Sequence, residues 1–248
     1  MTNPKNIFVS TTFAKDNSKI SEVLNICKKE NIYNVELGSN HIYEKNIKKI
    51  IQKYNFCFLV HNYFPIPKKN FVVNIASSNK KIRNASIQHA KNAIKFCKAT
   101  NSELYTIHPG FLGDPIKASR NEKSYDFIWD KKNLNNNYHS AFINMVTSLK
   151  KIVHFAKREK IKVAIETEGS FKKKNLLLMQ KPSEFREFFK FFKPNDLGVN
   201  LNIGHLNLAS KAFKFSKLKF VQKLKKYILA IELSHNNGIE DQHLPLKR

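Results

Sequence analysis

The chain is short of the residues that several function classes depend on. Its 248 residues hold only three cysteines. Cys27, Cys57 and Cys97 lie far apart and form no Cys-x-x-Cys pair, so zinc-knuckle spacing is absent. They suit small core positions in a reducing compartment. The seven glycines form neither a phosphate-binding loop nor a GxGxxG turn, and no Ser-His-Asp order is present. Acidic residues number 19 against 44 basic ones, a net charge of +25. Arginine is scarce within that excess, at five residues against 39 lysines. Recognition of phosphate at fixed geometry favours arginine forks. The lysines scatter over solvent positions, and the heavy use of Asn, Ile, Phe and Lys resembles the product of an AT-rich genome. The charge is therefore weak ground for a nucleic-acid partner. No apolar run approaches the roughly 18 residues that span a bilayer, and the MTNPKNIFVS start has no apolar signal core. The expectation is a cytoplasmic protein with no membrane partner.

What the sequence does hold is a regular alternation of strand and helix patterns. Short apolar runs at 7–11, 34–38, 56–61, 104–108, 162–167, 197–202 and 228–234 read as buried parallel strands. Between them, apolar residues recur at helical spacing: Ile20, Val23, Leu24 and Cys27; Ile82, Ser86, His89, Ala93 and Phe96; Phe142, Val146, Leu149 and Val153. Phe185, Phe188, Phe189 and Phe192 form a shorter stripe after Pro182. The fold class expected is α/β, a (β/α) barrel of TIM type in one domain over 1–248, with the eighth strand apparently lacking. Residues 111–137 form a long Asn- and Lys-rich connection, expected to be a lid, a binding loop or a disordered excursion.

The strand ends carry the chemistry. His61 closes FCFLVH and His108 closes LYTIH. Glu166 sits in VAIETEG, and Asn202-x-x-His205 follows LGVNLN. Glu232 and His235 sit in ILAIELSHNNG, and Asp241-x-His243 follows. In a parallel barrel all these groups gather at one mouth, where imidazoles and carboxylates hold a divalent metal, zinc or manganese. Side-chain alternation turns Glu166, His108 and Glu232 inward with small residues and leaves Ile165, Ile107 and Ile231 facing the helix layer. Alternation also favours Glu232 over His235. Glu36 points inward as a candidate for orienting a ligand, and Glu168 reads as a loop carboxylate or a partner behind a ligand. His41, His139 and His154 have no special spacing, and His89 on its helix face reads as packing.

These stretches resemble the xylose isomerase-like TIM barrels, which include sugar and sugar-phosphate isomerases and epimerases and the endonuclease IV group. The matching segments are HNYFPIP, IHPGF, IETEG, LNIGH and ELSHNNGIEDQHLPL. The endonuclease-like branch implies one zinc on His61, His108 and Glu166 and another on His205, Asp241 and His243. A third would share Glu166, but Asn202 replaces its aspartate, Glu232 or His235 stands at its histidine position, and an eighth-strand glutamate is missing. The isomerase-like branch implies one metal on Glu166, Asn202 and Glu232 or His235, with the same glutamate missing. The resemblance thus implies a metal-dependent isomerase or epimerase of a sugar or sugar phosphate, with Glu166 and Glu232 as catalytic carboxylates moving a proton through an enediolate. Two alternatives stand beside it: a metal-dependent hydrolase of apurinic sites, and a catalytically impaired ligand-binding barrel. A seven-strand sheet with open edges also implies marginal stability or homo-oligomerisation.

Overall fold

A computed structural model describes residues 7–120, 125–129, 137–170 and 176–246. The seven apolar runs form one parallel sheet: β1 (Val9–Ser10), β2 (Asn34–Leu37), β3 (Cys57–His61), β4 (Leu104–Ile107), β7 (Lys162–Glu166), β8 (Gly198–Asn202) and β9 (Ile228–Glu232), in that order across the sheet. Two further strands, β5 (Pro115–Arg120) and β6 (Tyr125–Trp129), pair antiparallel as a separate ribbon. They occupy the long connection that the sequence left open between a lid, a loop and disorder. Helices α1 (Ile20–Lys29), α2 (Ile47–Ile51), α3 (Lys80–Ala99), α4 (Tyr138–Glu159), α5 (Pro182–Phe188), α6 (Ile203–Phe213) and α7 (Lys217–Leu224) fill the intervals.

The chain divides into two compact units. The first comprises Met1–Asn70, Gln88–Ile107 and His154–Val163. Within it, β1 to β4 pair in chain order, with Val35 opposite Phe58 and Leu37 opposite Val60. Val35, Leu37 and Val60 are fully buried, as are Val23, Leu24 and Cys27 of the α1 stripe, so helical and strand periodicities meet in one core. His89 is buried beside the Tyr63 ring, which bears out packing as its role.

The second unit comprises Phe71–Ile87, His108–Val153 and Ala164–Arg248. Here β8 runs between β7 and β9, with Glu166 opposite Asn200 and Asn202 opposite Glu232. Parallel register thereby sets the last residue of β7 beside Asn200 and the last residues of β8 and β9 beside each other. Every residue of β8 is buried, the pattern of a strand covered on both faces. On β9 the outward apolar residues are not covered: Leu229, Ile231 and Leu233 are 43%, 56% and 60% exposed. Ile165 on β7 faces the same way by alternation and is fully buried. The β5–β6 ribbon is anchored by an aromatic cluster, with Phe127 and Trp129 at 4.6 and 5.5 Å from the Phe111 ring.

Candidate metal centre

The site within the second unit begins with Glu166, the last residue of β7, which is 1% exposed. A buried carboxylate needs donors on its oxygens. Asn202 Nδ2 donates to Oε1 at 2.9 Å and Asn200 Nδ2 to Oε2 at 3.4 Å. Both amides come from β8, two residues apart and so on one face of the strand. Asn200 also reaches Glu232 Oε2 at 3.5 Å, linking the carboxylates of β7 and β9.

Asn202 does a second job. Its side-chain oxygen caps α6 by accepting the His205 backbone N–H at 3.0 Å. That need for an acceptor fixes the amide's orientation and turns its NH2 group toward Glu166. The resemblance offers Asn202 as a metal ligand; in the structure its oxygen caps the helix and its NH2 group serves Glu166 as a donor.

The cap places His205 in the first turn of α6, 4% exposed. Its Nδ1–H donates to the Thr167 carbonyl at 2.8 Å. Nε2 then faces Asp241 Oδ2 at 3.4 Å, and His243 Nε2 lies 3.2 Å from the same carboxylate. His205, Asp241 and His243 each offer one ligand atom within 4.8 Å of the others. The loop carrying Asp241 and His243 is stitched to α6 by Asn236, which donates to the Gly204 carbonyl at 2.9 Å and accepts from Asn207 at 2.8 Å. His243 itself adopts a left-handed φ of 48°.

On the other side of Glu166 stands His108, whose Nε2 is 3.6 Å from Oε2. Its Nδ1 meets Glu168 Oε1 at 2.5 Å. Burial opposes charge on His108, but Glu166 and Glu168 override it and lift the ring to about 9. Burial likewise opposes charge on His205, and Asp241, Glu166 and Glu168 raise that ring well above its ordinary value. Burial pushes Asp241 up, yet His205 and His243 hold it well below the usual carboxylate range. Each shift reflects alternating imidazoles and carboxylates in a dry setting. Such a row suits cation binding, since a metal replaces the shared protons.

The remaining candidates are placed as follows. Glu232 ends β9 opposite Asn202, and its Oε1 is 4.0 Å from His243 Nδ1. His235, its rival at that strand end, forms a backbone bridge with Leu244, and among the described residues no ion pair joins its ring to the cluster. In the first unit, His61 ends β3 and its Nδ1 is 2.7 Å from Thr106 Oγ1. Glu36 is half-buried on β2. His41 is a structural residue, bonded to Thr11 Oγ1 at 2.8 Å. Sequence reasoning missed Asn200, although alternation from Asn202 points to it. It also missed Thr167, whose carbonyl function leaves no mark in a sequence.

The profile of the xylose isomerase-like TIM barrels matches residues 22–248. The chain belongs to that family. The seven-stranded parallel sheet is the family's fold in incomplete form. The uncharacterized protein MJ1311 of Methanocaldococcus jannaschii is 26% identical over 216 residues, covering 84% of this chain and 62% of that protein. The chain thus spans under two-thirds of that relative's length. Among solved structures, a D-tagatose 3-epimerase-like protein superposes with a TM-score of 0.71 at 23% identity, over 96% of this chain and 79% of the other. A D-psicose 3-epimerase from Clostridium cellulolyticum H10 gives a TM-score of 0.61 at 13% identity, over 91% and 72%. These two neighbours are sugar epimerases or epimerase-like by their own descriptions, and the likeness at these identities is one of fold.

Proposed function

We propose that this protein is a divalent-metal-dependent isomerase or epimerase of a sugar or sugar phosphate, with zinc or manganese as the metal. The observation that carries the reading is the continuous row His108–Glu166–His205–Asp241–His243 at the ends of β4, β7, β8 and beyond β9. The donor set fits a divalent cation. Nδ1 of His205 is committed to a carbonyl and Nδ1 of His108 to a carboxylate, so each ring keeps Nε2 for a ligand bond. Bound among these groups, a divalent cation supplies Lewis acidity to adjacent carbonyl and hydroxyl oxygens of a sugar.

The chain's own residues divide the remaining work. Glu166 is enclosed by two amide donors and two histidines, which suits holding charge in one place. Glu232 is the more open carboxylate, at 24% side-chain exposure against 1% for Glu166. A partly open carboxylate at a strand end reaches substrate and exchanges a proton with it, so Glu232 is assigned as the base. Asn200, bonded to both, keeps the two carboxylates at a fixed separation.

The test is proton exchange. Candidate ketoses and their phosphates, incubated in deuterated water with zinc- or manganese-loaded protein, should gain deuterium at one carbon. Glu232→Gln should abolish exchange while keeping the metal. Retained exchange in Glu232→Gln refutes the assignment of the base, and no exchange with any sugar refutes the reaction. The His205–Asp241–His243 triad favours one second reading, a metal-dependent phosphodiester hydrolase. Metal-dependent incision of an abasic duplex at physiological salt, lost in Glu166→Ala, would establish that reading instead.

A further inference from the structure

We infer that Glu168 is a positioning residue of this centre: it holds the His108 ring with Nε2 toward Glu166 and supplies a second buried carboxylate behind that imidazole. The inference rests on the metal-dependent reading above and adds a residue to it.

Glu168 lies in the loop after β7, two residues past Glu166, and is 6% exposed. Its backbone N–H donates to the Met179 carbonyl at 3.2 Å, so the loop itself is held. An ionised carboxylate only accepts hydrogen bonds. At 2.5 Å from Oε1, His108 Nδ1 must therefore carry the proton. In the neutral ring the lone pair then falls on Nε2, the atom 3.6 Å from Glu166 Oε2. Glu168 Oε2 lies 3.7 Å from His205 Nδ1, whose proton goes to Thr167. Oε1 thus meets the His108 nitrogen opposite the one that faces Glu166, whereas Oε2 shares the Nδ1 side of His205 with Glu166 Oε1 at 3.3 Å. Glu168 stands behind His108, whereas Glu166 stands between His108 and His205.

Charge makes the same point. Asn202 and Asn200, which donate to Glu166, are neutral amides. Glu168 and Glu166 are thus two carboxylates on one imidazole, His108, and together they match the charge of a divalent cation. A carboxylate on the far nitrogen also makes an imidazole a better donor, and loss of such a partner costs about 10–100-fold in metal affinity.

The experiment uses the full 248-residue chain. Zn2+ and Mn2+ are titrated separately into chelator-treated protein, for the parent, Glu168→Gln, Glu168→Ala and the exposed control Glu187→Gln. Glu168→Gln keeps an acceptor oxygen and removes the charge. We expect it to weaken binding about tenfold and Glu168→Ala up to about 100-fold, with the control unchanged. Long-range 15N–1H spectra of the zinc-loaded parent should show His108 protonated at Nδ1 and metal-bound at Nε2. This readout needs no variant, so a misfolded variant does not blunt the test. Metal at Nδ1 of His108, or full affinity in Glu168→Gln, overturns the role of Glu168 and leaves the metal reading standing. A parent chain that binds neither ion removes both.

Discussion

Replacing Gly169 by alanine tests how tightly the β7 loop is set against α6. A Cβ built at Gly169 falls 2.0 Å from the His205 carbonyl oxygen, 2.6 Å from its carbon and 2.8 Å from its Cα. Ordinary contact begins near 3.4 Å. The loop or the first turn of α6 must therefore shift by more than an ångström, and because the obstacle is backbone no rotamer change relieves it. Overpacking of this kind costs about 1–3 kcal/mol. For a chain of this size that corresponds to a fall in Tm of roughly 2–12 °C. The shift acts on His205, whose ring and backbone are bonded to Thr167 and Asn202. Misplacement by about 1 Å is enough to cost about 100-fold in a geometry-dependent step. Differential scanning calorimetry and zinc titration of Gly169→Ala should show both losses together. A variant with parental Tm and parental zinc affinity would refute the close approach on which the site's geometry depends.

Three further outcomes follow from the structure. Ile231→Lys, at a position 56% exposed, should leave stability within about 0.5 kcal/mol of the parent and lower aggregation at high salt, whereas Ile165→Ala, fully buried, should cost about 2–5 kcal/mol; equal melting losses in the two would contradict the uncovered β9 face. Burial lowers His89 to about 4, with backbone carbonyls of Asn62 and Tyr63 opposing. The unfolded ring binds its proton first as pH falls, so about 3 kcal/mol of stability present above pH 6.5 is lost on acidification toward pH 4. Urea unfolding across that range should show the loss in the parent and not in His89→Leu; parallel profiles would exclude His89 as its source. Finally, Glu166→Ala should lower zinc content far more than the exposed Glu187→Ala, read by elemental analysis, and equal content would remove Glu166 from the ligands.

All seven strands of the sheet were legible because their runs are short, apolar and bounded by polar ends, and the α1 stripe because a helix face repeats at 3.6 residues. The β5–β6 ribbon was not. Its strands, PIKASR and YDFIW, gain their place from Phe111 packing on Phe127 and Trp129, a tertiary contact with no local signature. Helix α2, five residues long, is too short for periodicity to register. At the site, residue types at strand ends identified which side chains gather, since parallel register aligns those ends. The atoms that face one another were another matter. That Asn202 gives its oxygen to a helix and its amide to Glu166, or that Glu168 meets Nδ1 of His108, depends on backbone direction and loop closure. Neither is encoded in spacing.

The amide at Asn202 has a consequence for the order of events in the life of the molecule. An aspartate there would cap α6 equally well but would press a second negative charge against Glu166, a repulsion the folded chain would have to offset. With the neutral amide donating to Glu166 at 2.9 Å, β7, β8 and the start of α6 lock together on their own hydrogen bonds. Under the proposed metal-dependent reading, assembly of this region and metal binding become separate steps.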